Sequence, residues 1–244
     1  MKPKFKLIAI ASLMLNLLFM LMTGYVVNQK GGINYLHNRV NAVFYPKKMD
    51  NNFSPWYFER KSTFEILPTK SNSIVFLGDS ITEGAEWGEL FQNSAFVNRG
   101  ISGDTTDGVL NRVNDITNAR PDKVFIMIGI NDLAKGKSVS YILNNYQKII
   151  NQFKTETSET RIIVQSILPV DNSIIKNPIP KTQNIIEVNN ELESLCKKNS
   201  IDFINLYPLF ANDNVLSREY TSDGLHLNGD GYLVWKKSVE TFLS

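Results

Sequence analysis

The chain has 244 residues, of which 43% are hydrophobic and 20% charged, enough for one well-cored domain plus a short extension and too few for two full-sized domains with a linker. That balance excludes wholesale disorder. The formal charge of +2 is uneven, because Lys2, Lys4 and Lys6 precede the first hydrophobic run while the rest is close to neutral and lacks a basic cluster, so nucleic acid is not an expected partner.

From Leu7 to Val27 the chain is uncharged and apolar apart from Ser12, Asn16, Thr23, Gly24 and Tyr25. As a helix this run spans roughly 30 Å, the thickness of a bilayer core. It ends Tyr25-Val26-Val27-Asn28, with no small-x-small cleavage site, so an uncleaved transmembrane helix is expected and a cleaved signal peptide is the alternative. The lysines before the run, against only Lys30 and Arg39 soon after it, place the N-terminus in the cytoplasm and residues 30–244 on the extracytoplasmic side of the cell membrane. Residues 1–28 are thus expected to be an anchor and residues 29–72 a juxtamembrane spacer ending in a packing helix near 54–66. Contact of the aromatic stretch Phe53-Ser54-Pro55-Trp56-Tyr57-Phe58 with the membrane surface is the other reading.

From Ser73 onward short β-rich runs alternate with segments of helical period, which predicts an α/β domain over 73–244 with helices on both faces of a parallel sheet. The expected strands are Ile74–Leu77, Ala95–Asn98, Lys123–Ile128, Arg161–Ile167 and Asp202–Leu206, near-continuously apolar as strands buried on both faces are. The expected helices are Thr106–Ile116 (with Val109, Leu110, Val113 and Ile116 inward), Ser140–Phe153, Asn184–Lys198 and Gly231–Phe242 (with Leu233, Val234, Trp235 and Val239 inward). Pro169–Pro180 reads as a loop. The single cysteine, Cys196, excludes an intramolecular disulfide and a cysteine-based zinc cluster, and its helical spacing from Val188 and Leu192 makes it a core residue.

Serine catalysis needs a base within hydrogen-bond reach and donors for the oxyanion that develops. Ser80, in Gly78-Asp79-Ser80-Ile81-Thr82-Glu83-Gly84, directly follows the first strand, at the strand end where open α/β sheets bind ligands. Alone, the motif fits a helix-capping serine equally well. Only two histidines exist, His37 beside the apolar run and His226 in Asp223-Gly224-Leu225-His226, where an Asp three residues back across a glycine turn can orient an imidazole base. Gly103, in Asn98-Arg99-Gly100-Ile101-Ser102-Gly103-Asp104, offers a backbone N–H, and Asn131, in Gly129-Ile130-Asn131-Asp132, a neutral side-chain amide. In a flavodoxin-like strand order of 2-1-3-4-5, Ser80 and Asn131 face each other across the switch-point crevice.

These four segments, in this order over residues 74–230, resemble the motif blocks of the SGNH, or GDSL-like, hydrolases, and the run Asn98–Thr106 is similar to the bacterial and platelet-activating-factor acetylhydrolase-like branch. Ile81 stands where the GDSL name has Leu, a volume-conserving change. The resemblance implies a flavodoxin-like three-layer α/β/α sandwich with a five-stranded parallel sheet. It further implies a Ser80, Asp223, His226 triad and an oxyanion hole formed by the N–H groups of Ser80 and Gly103 and the amide of Asn131. A serine esterase acting through an acyl-enzyme follows, with no metal or organic cofactor implied. Short acyl esters such as O-acetyl groups on an envelope glycan are the expected substrates, with lipid esters and thioesters as alternatives. An acyltransferase of the same architecture, a non-catalytic carbohydrate-binding module and a flavin or nucleotide domain are the rival classes.

Overall fold

The computed structural model describes residues 3–30, 32, 33, 35, 40, 52–67, 69–175 and 182–243, which fall into two compact units, Met1–Asn51 and Asn52–Ser244. The first unit is dominated by α1 (Pro3–Gln29), rich in Leu, Met and other strong helix formers. Its segment Ile10–Gln29 has a mean hydropathy of 2.0 and none of it is buried within the protein. Asn16 and Thr23 turn their polar atoms onto the carbonyls of Ser12 (2.9 Å) and Phe19 (2.8 Å) one turn back, which hides them from an apolar medium. The helix is long and apolar enough to cross a membrane, a property that anchors and signal sequences share. Part of the expected spacer, including residues 41–51, lies outside the described residues, as does the end of the Pro169–Pro180 loop beyond Ile175.

The second unit begins with α2 (Pro55–Ile66), started by Ser54, whose side chain accepts from the N–H of Tyr57, and by Pro55 in the first turn. Tyr57 is 2% exposed, and its hydroxyl donates to the carbonyl of Gly108 (2.9 Å) and accepts from the amide of Asn111 (3.1 Å). One ring of the aromatic stretch therefore packs into the protein itself, so the compact unit starts upstream of the sheet.

Five parallel strands, β1 (Ile74–Gly78), β2 (Phe96–Gly100), β3 (Lys123–Met127), β4 (Arg161–Gln165) and β5 (Asp202–Ile204), form the sheet in the order β2-β1-β3-β4-β5. The order and the α/β class are as the sequence predicts. Between the strands lie the short helices α3 (Ser80–Glu83) and α4 (Trp87–Leu90), then α5 (Thr106–Thr117), α6 (Ile130–Ala134), α7 (Val139–Glu156) and α8 (Thr182–Asn199). After β5 come α9 (Tyr207–Phe210), a small antiparallel pair β6 (Ala211–Asn212) and β7 (Val215–Leu216), and α10 (Gly229–Glu240). Right-handed crossovers put α5, α7 and α8 on one face, where α7 packs between the other two. On the other face Phe76 stacks on Trp87 (3.7 Å between ring centroids), which meets Trp235 of α10 edge-on (4.9 Å).

One expected core position is corrected. Leu233 is half exposed, whereas Trp235 and Val239 are fully buried. Residues 233 and 235 sit about 200° apart around a helix, and the larger ring takes the core. On α5, Leu110 is only partly buried and Arg112 takes an inward position between Val109 and Val113. Cys196 is buried among α8 core residues, and burial pushes its thiol up to about 12.

Candidate active site

Ser80 opens α3 immediately beyond the last residue pair of β1 and β3. Asp79 caps that helix, its side chain accepting from the N–H of Ile81 (3.0 Å), so the serine stands at the rim of the sheet. The close turn depends on Gly100 at the end of β2, where a Cβ would sit 2.3 Å from the backbone nitrogen of Glu83. The amide of Asn98 completes the clamp by donating to the carbonyls of Thr82, Glu83 and Ala85 at 2.8 to 3.1 Å.

The histidine arrives on the turn before α10. His226 Nε2 lies 2.9 Å from Ser80 Oγ, and His226 Nδ1 lies 2.6 Å from Asp223 Oδ2. The other oxygen of Asp223 accepts the backbone N–H groups of Leu225 (2.9 Å) and His226 (2.8 Å), which fixes the carboxylate beneath the ring. Partial burial acts to raise the pKa of Asp223, but the His226 ring and these two N–H groups outweigh it and hold the carboxyl at about 2. Gly224 adopts a φ of +83°, and a Cβ there would lie 2.5 Å from the carbonyl oxygen of Asp171, whose N–H in turn donates to the Gly224 carbonyl (2.8 Å). The turn is also tied to the helix that Ser80 opens, since Tyr232 on α10 donates its hydroxyl proton to the carbonyl of Ile81 (2.9 Å).

Gly103 has a φ of +76°, a left-handed conformation natural to glycine, and its face is open. Neither its N–H nor that of Ser80 donates to any described residue. Asn131 uses one of its two amide protons on the carbonyl of Asp104 (2.9 Å), leaving the other. Asp104 is buried and is held by Arg112 Nη2 (2.8 Å) and Nε (2.9 Å). The same guanidinium donates to the carbonyls of Arg99 (2.8 Å) and Gly78 (3.1 Å), so one side chain joins the ends of β1 and β2 to the Gly103 loop. Asp132 receives the N–H (3.0 Å) and hydroxyl (2.6 Å) of Thr106, fixing the start of α5. Burial raises the pKa of Asp79, Asp104 and Asp132 alike, that of Asp79 to about 7.

All five residues singled out in the sequence, Ser80, Gly103, Asn131, Asp223 and His226, lie on this rim. Ser80, His226 and Asp223 are in hydrogen-bond contact although 146 residues separate Ser80 from His226. Residues 76–234 match the model of the GDSL-like lipase/acylhydrolase family. The chain belongs to that family. This GDSL-like hydrolase is also 29% identical over 171 residues to the platelet-activating factor acetylhydrolase IB subunit alpha2 of Rattus norvegicus, covering 67% of this chain and 72% of that one. Among solved structures it is similar to one named for a platelet activating factor from Streptococcus pneumonia, at a TM-score of 0.71 and 30% identity over 78% of this chain and 93% of that one. It is similar too to a GDSL-like lipase from Bacteroides thetaiotaomicron, at a TM-score of 0.65 and 28% identity over 76% and 96% of the two chains. The protein is therefore a hydrolase acting on ester bonds.

Sequence reasoning passed over Arg112, Asn98 and Glu83. Arg112 left a readable trace, a charged residue at the inward spacing of Val109, Val113 and Ile116. Asn98 and Glu83 left none, because their partners lie on other elements.

Proposed function

We propose that this GDSL-like hydrolase is a serine esterase that works through an acyl-enzyme, with Ser80 as nucleophile, His226 as its base and Asp223 orienting that base. The supporting observation is the unbroken relay from Ser80 Oγ through His226 to Asp223, at 2.9 and 2.6 Å. His226 Nε2 takes the Ser80 proton as Oγ attacks the ester carbonyl carbon. Asp223, ionised far into acid, stabilises the imidazolium. The carbonyl oxygen becomes an oxyanion facing the N–H groups of Ser80 and Gly103 and the second amide proton of Asn131. Collapse of the adduct returns the proton through His226 to the leaving alcohol, and water then repeats the sequence on the acyl-enzyme.

A short acyl group fits the relative named as an acetylhydrolase. With residues 1–28 as an uncleaved anchor, 29–72 as spacer and packing helix and 73–244 as the hydrolase domain, the site faces outward, where O-acetylated envelope glycan is the substrate we favour. Hydrolysis of p-nitrophenyl acetate tests the mechanism. Ser80→Ala is expected to lower turnover by at least about 10,000-fold and to abolish labelling by a fluorophosphonate. Wild-type turnover in that variant would end the assignment.

A further inference from the structure

Residues 52–57 precede the family match, yet they form one wall of a cavity of about 350 Å³ whose other wall is the loop Ser102–Thr105, with Lys135 at its rim. The cavity thus shares Gly103 with the proposed oxyanion hole. Its aromatic members differ in role. Tyr57 is buried and structural, Phe53 stacks on it (4.5 Å) and is half-buried, and Trp56 is 46% exposed.

Trp56 is braced rather than loose. Its indole Nε1 donates to Glu83 Oε2 (3.4 Å), Arg60 stands 6.0 Å from its ring centre, and Arg60 Nε lies 2.8 Å from Glu83 Oε1. Glu83 also accepts the N–H of Ser102 (2.7 Å) and its hydroxyl proton. One carboxylate on the nucleophile helix therefore sets both the tryptophan and the loop carrying Gly103. Ser102 Oγ, its proton committed to Glu83, keeps lone pairs as an acceptor.

We propose that this cavity is a subsite for the pyranose ring that carries the ester, with Trp56 as stacking platform and Lys135, Ser102 and Asn52 as its polar rim. An aromatic face flanked closely by donors and acceptors suits a sugar, which is apolar on one ring face and hydroxylated at its edge. A long acyl chain would need a continuously apolar slot, and Asn52, Ser54, Ser102 and Lys135 interrupt one here. The subsite deepens the esterase assignment and rests on it for its catalytic consequence.

The test compares a mono-O-acetylated methyl pyranoside with ethyl acetate, which has no ring. Trp56→Ala is expected to lower the ratio of kcat/KM for the pyranoside over that for ethyl acetate by roughly five- to tenfold, mainly through KM, with Trp56→Phe keeping most of the ratio. An equal loss on both substrates would show Trp56 acting only through Glu83 and would overturn the subsite, as would a selective loss on p-nitrophenyl octanoate. Calorimetric binding of the pyranoside to Ser80→Ala, weakened when Trp56→Ala is added, separates the subsite from the chemistry. Binding that ignores Trp56 refutes the subsite even if the esterase assignment stands, and ester hydrolysis that survives Ser80→Ala refutes the assignment alone.

Discussion

Asn131 and Asp79 illustrate how single side chains on this rim divide between the proposed chemistry and folding. Among the described residues the Asn131 side chain makes one hydrogen bond, to the carbonyl of Asp104, which leaves its other amide proton over. Removing one oxyanion donor typically costs about 100- to 1000-fold in rate. Asn131→Ala is accordingly expected to lose that much kcat on p-nitrophenyl acetate while its melting temperature stays within a few degrees of wild type. Asp79 does the opposite work. Burial, reinforced by the neighbouring Asp104 and Asp132, raises it from its ordinary 3.8 to about 7. Between those values the folded protein keeps a proton that the unfolded chain has released, so this group makes stability fall as pH rises through that window. Asp79→Asn preserves an acceptor for the N–H of Ile81 but cannot ionise. Thermal melts at pH 4.5 and pH 8 should therefore differ less in the variant than in wild type, and an unchanged difference would refute the assignment.

Whole elements are held at this rim by a few long-range polar ties as much as by apolar burial. Tyr146 on α7 bonds both the N–H (3.0 Å) and the carbonyl (2.9 Å) of Ile128 just past β3, and Asn189 on α8 does the same for Ile167 beyond β4. Each supplies the pairing that a strand loses where it leaves the sheet, and so fixes the loop that follows. The helix α2 is attached in the same style, through Tyr57 to α5 and through Lys61 to Asp115 (3.0 Å). Truncating a buried aromatic costs about 3–5 kcal/mol. Tyr57→Ala is expected to lower the urea midpoint of the full-length protein in detergent by a corresponding amount. A change below about 1 kcal/mol would mean that α2 is not part of the cooperative unit.

At the scale of the molecule, an apolar helix able to cross a membrane accompanies an ester hydrolase domain. Cell fractionation decides between the two uses of α1. We expect the full-length protein in the membrane fraction with its original N-terminus, and a mature chain beginning near residue 28 would identify a signal sequence instead.

Strand order, helix spans and the five rim residues were legible in the amino-acid pattern because each rests on a local regularity. Buried strands read as apolar runs, helices as a 3.6-residue period, and the motifs as short contiguous words beside strand ends. Glu83, Asn98 and the docking of Tyr57 were not legible in that way. Their meaning comes from partners 13 to 54 residues away, which only chain crossovers bring within hydrogen-bond range. The sequence by itself determined the class of fold and the chemical groups that meet at the sheet edge, since periodicity and composition act locally. Only the tertiary structure decided how those groups are aimed and what walls surround them, since a hydrogen bond depends on distances of a few tenths of an ångström that no pattern of residue types encodes.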